Sequence, residues 1–191
     1  MKNKGLIITL ASIGAVLLIL IISTIVTYNG LVDKEESVKS QLSVIDSQLT
    51  RREELIPNLV NTVKGYVDYE QETFIAVTEA RAAVGAAGDL VEKAEATAAE
   101  QKAVNTLISV VQENYPDLAA STQFTALTDE LAGTANRINQ ARKDYIAAVN
   151  EYNKSIRRFP SNIVASMFGF EQVEYFEANE SANSVPEVSF E

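Results

Sequence analysis

From Leu6 to Val26 the chain reads LIITLASIGAVLLILIISTIV, about 21 residues without a charge. Wound as an α-helix at about 1.5 Å per residue, this run spans roughly 31 Å, the thickness of a bilayer's hydrocarbon core. A cleaved signal peptide has a shorter apolar region that ends at a small-x-small site. Here the run closes on Ser23-Thr24-Ile25-Val26-Thr27, with no Ala-x-Ala pattern. The expectation is an uncleaved transmembrane helix over residues 6–26, preceded by a short tail over residues 1–5. Lys2 and Lys4 before the run face Lys34 and Lys39 after it. The positive-inside rule therefore does not choose an orientation, and the side of the membrane that carries the rest of the chain stays open.

Beyond the anchor about 165 of the 191 residues remain, enough for one domain with a real core. The formal net charge of −10 argues against nucleic acid as a partner, because phosphate binding relies on a basic face. The chain contains no cysteine, which excludes disulfides, thiol catalysis, zinc-thiolate sites and a lipidated cysteine. It contains no histidine either, which removes the commonest general base and transition-metal ligand.

The hydrophobic pattern after Thr27 is helical. Leu31, Val38 and Ile45 fall seven apart, and Leu42, Leu49 and Ile56 form a second series, so one stripe continues the anchor as a helix. Gly30 weakens that helix slightly and allows a bend at the membrane surface. Pro57 either kinks this helix or occupies the first turn of a second, which would make Glu54 to Ile56 a tight corner. Val60, Val63, Val67, Phe74 and Val77 continue at helical spacing up to the Ala- and Gly-rich residues 82–88. Asp89, with Glu92 three residues later, suits a capping-box-like start for a third helix running to about Asn114. Its stripe is Val91, Ala94, Ala98, Val104, Leu107, Ile108 and Val111. Tyr115-Pro116-Asp117 is the next break, with Pro116 in a first helical turn. In the fourth helix Phe124, Leu131, Ile138, Tyr145 and Tyr152 recur every seven residues, flanked by Leu127, Thr134, Ala141 and Ala148. At 35 to 40 residues it would be roughly 55 Å long. Phe159-Pro160 ends it, and residues 163–170 form a short apolar segment, IVASMFGF.

The fold class expected is all-α: an N-terminal transmembrane helix followed by an elongated antiparallel four-helix bundle over residues 27–177. Residues 171–191 hold six Glu and no Lys or Arg, and a disordered acidic tail is expected over residues 178–191.

Several motifs resemble the LemA family: Tyr28-Asn29-Gly30-Leu31-Val32, Ile45-Asp46-Ser47-Gln48-Leu49, Arg51-Arg52, Leu55-Ile56-Pro57-Asn58-Leu59-Val60 and Thr62-Val63-Lys64-Gly65-Tyr66. Later landmarks keep the family order: Glu79-Ala80-Arg81-Ala82, Tyr115-Pro116-Asp117-Leu118, Phe124, Ala141-Arg142-Lys143-Asp144-Tyr145, Tyr152-Asn153, Phe159-Pro160-Ser161-Asn162-Ile163, Phe168-Gly169-Phe170 and Tyr175-Phe176. The likeness covers residues 28–176. It departs at Asp144-Tyr145-Ile146, where a Tyr-Asn pair is expected in many relatives. The resemblance implies a bacterial membrane protein with one span and a helical-bundle domain, without an established catalytic activity. It also implies association with envelope proteins such as membrane metalloproteases.

Candidate functional groups each have a plainer reading. Arg51-Arg52 with Glu53-Glu54 could bind an anion or a partner, yet such a run is more often a solvated, internally paired helix face. Residues 55–60 read as a packing corner, with Asn58 and Asn61 closing helix-end hydrogen bonds. Tyr145 and Tyr152 lie on the core stripe, their hydroxyls reaching neighbours or water. Glu70, Glu72 and Glu79 resemble a carboxylate metal site, but di-iron bundles use Glu-x-x-His pairs and this chain has no His. Residues 163–170 either cap the bundle or lie on a membrane or partner. No catalytic, cofactor-binding or metal-ligating residue is expected, and no cofactor.

The function expected is a single-pass, membrane-anchored, non-enzymatic scaffold or adaptor in the bacterial envelope. Its expected partners are the lipid bilayer and either further copies of itself or an envelope membrane protein. The alternative is an extracytoplasmic sensor or ligand-binding bundle acting through a partner.

Overall fold

The computed structural model describes residues 2–66, 71–88 and 90–175. Among these residues six helices follow one another: α1 (Lys2–Lys64), α2 (Gln71–Ala86), α3 (Leu90–Asn114), α4 (Pro116–Ala119), α5 (Thr122–Arg157) and α6 (Ser161–Phe168). There is no strand among the described residues. The chain divides into two compact units, one built from residues up to Ser43 with Lys143–Tyr175, the other from Val44–Arg142. The acidic tail expected from residue 178 lies outside the described residues, as do Val67, Glu70 and Asp89.

The large apolar side chains from Ile7 to Val26 are 52–67% exposed, whereas Leu31, five residues further on, is only 2% exposed. The apolar run thus makes no packed core, and protein packing begins just past its end. α1 is the one helix among the described residues long and apolar enough to cross a membrane. Its hydroxyls suit lipid, because Ser12 donates to the Ile8 carbonyl and Thr24 to the Leu20 carbonyl at 2.9 Å, leaving neither donor bare.

α1 continues without interruption through Gly30 and Pro57. Of the two readings of Pro57, the start of a second helix after a corner at Glu54 to Ile56 is therefore set aside. Leu55, Ile56, Leu59 and Val60 are all buried around the proline, and their packing carries the helix past the missing N–H. The real end is Lys64, followed by a turn in which Gly65 and Tyr66 donate to the carbonyls of Asn61 and Val63 at 3.3 and 2.9 Å. The second helix that this reading would have run from Pro57 to the Ala- and Gly-rich residues 82–88 is instead divided between the end of α1 and α2. α2 packs along α3. At the start of α3, Glu92 reaches back to accept from the Gly88 N–H at 2.9 Å, one residue before the N–H that a capping box started by Asp89 would use. Pro116 opens α4, a separate single turn, rather than the long helix. α5 begins at Thr122, where the Ser121 hydroxyl accepts from the Phe124 N–H at 3.3 Å.

In the unit from Val44 to Arg142, Leu55, Ile56, Leu59, Val63, Phe74, Val77, Val104, Leu107, Val111, Leu118, Phe124 and Leu131 form one core. The unit that holds α6 buries Leu31, Val38, Tyr145, Val149, Tyr152, Ile156, Val164 and Ala165. All five members of the seven-residue series on α5 are buried. Gly169 ends α6 in the left-handed conformation at φ 76°, and the Phe170 N–H returns to the Ala165 carbonyl at 3.0 Å. The inner face of α6 turns Val164 and Ala165 inward, while Phe168 meets Tyr28 of α1 at 4.9 Å between ring centroids. Phe159, Ile163 and Met167 stay exposed.

Candidate functional site

Positions 45, 49, 52, 56, 59 and 63 of α1 advance by alternate steps of four and three, which keeps them on one face. Five carry aliphatic side chains, and all six are buried. The sixth is Arg52. On α3 the row 97, 100, 104, 107 and 111 has the same spacing and is likewise buried, with Glu100 in it. The two helices bring these charges together inside the core, where each residue is 1% exposed.

Arg52 Nε donates to Glu100 Oε2 at 3.1 Å. Arg52 Nη1 donates to the Gln101 side-chain oxygen, and Gln101 Nε2 in turn donates to Asn105 Oδ1 at 2.7 Å. A planar guanidinium suits two neighbouring acceptors on one helix in a way an ammonium cannot. Arg52 Nη2 and Glu100 Oε1 are buried without a hydrogen-bond partner, so the pair is only partly satisfied. Such a pair adds little net stability but fixes which turn of α1 faces which turn of α3. The expectation of a solvated face is corrected for Arg52. It holds for Arg51, which is exposed and lies 3.6 Å from Glu130 and 3.9 Å from Glu54. The block of mixed charges Arg51 to Glu54 hid the difference, and the helical register of Arg52 with Ile45, Leu49 and Ile56 is the signal that would have found it.

Burial pushes the Glu100 carboxyl above its ordinary range, and the Arg52 charge opposes this without cancelling it. A folded-state pKa above the unfolded one gives stability that is complete below the unfolded value and lost as pH rises through the folded value. Lowering the pH from about 7 to about 4 is therefore expected to stabilise the native chain relative to Glu100→Gln, which lacks this proton. Urea midpoints of the two proteins at matched pH check this. A gap that does not move with pH contradicts it.

A shallow groove of about 740 Å³ lies beside Arg51, Asn58, Asn61, Tyr66, Gln123 and Glu130. Gln123 donates to the Thr62 hydroxyl across it at 3.2 Å. Arg51, the cation in this lining, already faces carboxylates, and no side-chain pair there has the nucleophile-and-base arrangement of covalent catalysis. Asn61 closes the end of α1 through its main-chain carbonyl. Glu72 and Glu79 are exposed on α2, and no cluster able to hold a metal occurs among the described residues.

In the other unit, Asn153 donates to the Val173 carbonyl at 2.8 Å and accepts from the Val173 N–H at 3.0 Å. The Tyr145 hydroxyl donates to the Glu174 carbonyl at 3.4 Å. Burial, and then the Glu174 carboxylate, raises the Tyr145 pKa. Burial, followed by Glu35, raises that of Tyr152. Asn153 thus mimics a strand partner, which gives the Tyr152-Asn153 pair a structural task. Sequence reading did not foresee that task.

A family model described as the LemA family matches residues 41–190. That range holds Arg52, Glu100 and Asn153, and begins after the Tyr28 to Val32 motif. The magnetosome protein MamQ 2 of Paramagnetospirillum magneticum is 25% identical over 182 residues, covering 82% of this chain and 67% of its own length. A protein LemA of Metamycoplasma hominis is 23% identical over 154 residues, covering 80% and 69%. The magnetosome protein MamQ of Magnetospirillum gryphiswaldense is 22% identical over 201 residues, covering 91% and 74%.

Proposed function

The chain belongs to the LemA family, and on that footing we propose that it is a single-pass membrane protein whose helical domain serves as a non-enzymatic scaffold or adaptor in the bacterial envelope. The observation that carries this reading is α1 itself, one helix whose exposed apolar run passes directly into a packed core at Leu31. A span that continues into a core helix transmits position and orientation to the domain, which a flexible linker would not. The domain boundaries follow the same reading, with the anchor over residues 6–26 and the helical domain over residues 27–177.

In the unit from Val44 to Arg142 we take the arrangement to be an antiparallel four-helix bundle of α1, α2, α3 and α5. Its support lies in the order of the pairings. Gln48 with Arg137, Arg51 with Glu130 and Thr62 with Gln123 rise along α1 as they fall along α5. Asp46 with Lys93 and Arg52 with Glu100 rise together along α1 and α3. Both orders suit up-down-up-down connections.

A scaffold holds others. Crosslinking the full chain in native membranes, followed by mild detergent extraction, is expected to recover it in a discrete larger species, as a homo-oligomer or with an envelope protein. Recovery of monomer alone at all crosslinker concentrations contradicts the proposal.

A further inference from the structure

Tyr28 stands two residues beyond Val26, about 3 Å further along the helix and at the depth where tyrosines gather at a membrane surface. The rings of Phe168 and Phe170 pack on it, with centroids 4.9 and 5.6 Å away. These contacts hold α6 at the point where α1 passes from its exposed apolar run to its first buried residue. Val164 and Ala165 are used in packing, yet Phe159, Ile163 and Met167 remain 81%, 55% and 63% exposed. Ile163 and Met167 are one helical turn apart on α6, and Phe159 lies in the turn that leads into it. Arg157 and Arg158, both exposed, come immediately before this row, where long basic side chains can reach lipid phosphates. The exposed carboxylates Glu171 and Glu174 follow it and limit how deep the segment can go.

We infer that α6 is an interfacial helix that, with the turn before it, lays Ile163, Met167 and the preceding Phe159 into the headgroup and upper acyl region of the bilayer that holds α1, clamped there by the Tyr28–Phe168–Phe170 cluster. The inference rests on the membrane-anchored reading above. The occupant of the row is lipid because the clamp is made to α1 itself, so inserting α1 carries the row to the membrane surface without recruiting a partner. A row of large apolar groups at that depth fixes the tilt and rotation of α1 at its exit, as interfacial anchors do.

The chain has no native cysteine, so single cysteines report cleanly. Full-length Met167→Cys, Ile19→Cys and Ser37→Cys, each carrying an environment-sensitive fluorophore, are reconstituted in phosphatidylethanolamine and phosphatidylglycerol nanodiscs. They are quenched either by iodide or by lipids spin-labelled near the headgroup or deep in the acyl chain. The Met167 label is expected to lose most of its emission to the shallow spin label and little to iodide. The Ser37 label should show the reverse, and the Ile19 label should respond to the deep spin label. Quenching at Met167 by iodide, with Ile19 buried in lipid, overturns the inference while leaving the anchor intact. Protection at Met167 from both quenchers means that protein covers the row, as a second copy or another partner, and also overturns it. Loss of lipid quenching at Ile19 removes the anchor reading itself.

Discussion

Lysines at Leu17 and Ile21 together are expected to release the protein from membranes. Each lysine near the centre of a span costs about 2.5 to 3.5 kcal/mol, so the pair costs about 5 to 7 kcal/mol, or roughly four to five orders of magnitude in partition. Both side chains are exposed and adjoin no packed core, so the helical domain has no contact to lose. The double variant should therefore move to the soluble fraction in alkaline extraction and membrane flotation while keeping its helical circular dichroism. Leu17→Ala with Ile21→Ala should stay with the membrane. A double-lysine protein that still floats with membranes would mean that something other than this run holds the chain there.

Arg52→Leu is the second large effect. It leaves the Glu100 carboxylate in a core site without its cation, and breaking a buried pair from one side costs about 3 to 5 kcal/mol. Arg52→Leu with Glu100→Leu removes both charges and should recover most of that loss, because the surroundings on both helices are already aliphatic. Arg52→Lys should fall between, since one ammonium cannot serve Glu100 and Gln101 in the same geometry. Arg51→Leu should change stability by no more than about 0.5 kcal/mol, as expected for an exposed pair. Urea unfolding of the four proteins in detergent separates these outcomes. Equal effects at positions 51 and 52 would contradict the buried network.

These effects divide along what the sequence made readable. The long, exposed apolar helix was legible because about 21 residues run without a charge at a length that matches a bilayer core. The α5 stripe was legible because Phe124, Leu131, Ile138, Tyr145 and Tyr152 repeat every seven residues with no proline between them, and the one glycine among them, Gly133, does not break the helix. The end of α1 was not legible. Val60 and Val63 continue in phase into Phe74 and Val77, so periodicity runs across the break while Pro57, the strongest local punctuation, lies inside a helix. Tertiary burial outweighed propensity there. Arg52 was missed for a different reason. Its neighbours Arg51, Glu53 and Glu54 offer an explanation by charge alone, and only its spacing from Ile45, Leu49 and Ile56 reveals a core position. The packing of α6 on Tyr28 joins residues about 140 apart, a contact that no local pattern announces.

Single cysteines at Asn3, Ile19, Ser37 and Asn150, tested with a membrane-impermeant maleimide on intact and on permeabilised cells, examine the single-pass anchored arrangement most directly. Position 19 should react only after denaturing detergent. Positions 37 and 150 should behave alike, and position 3 should react from the opposite side. Labelling of positions 3 and 37 from the same side, or of position 19 in intact membranes, would contradict a helix that crosses the bilayer once and continues into the domain.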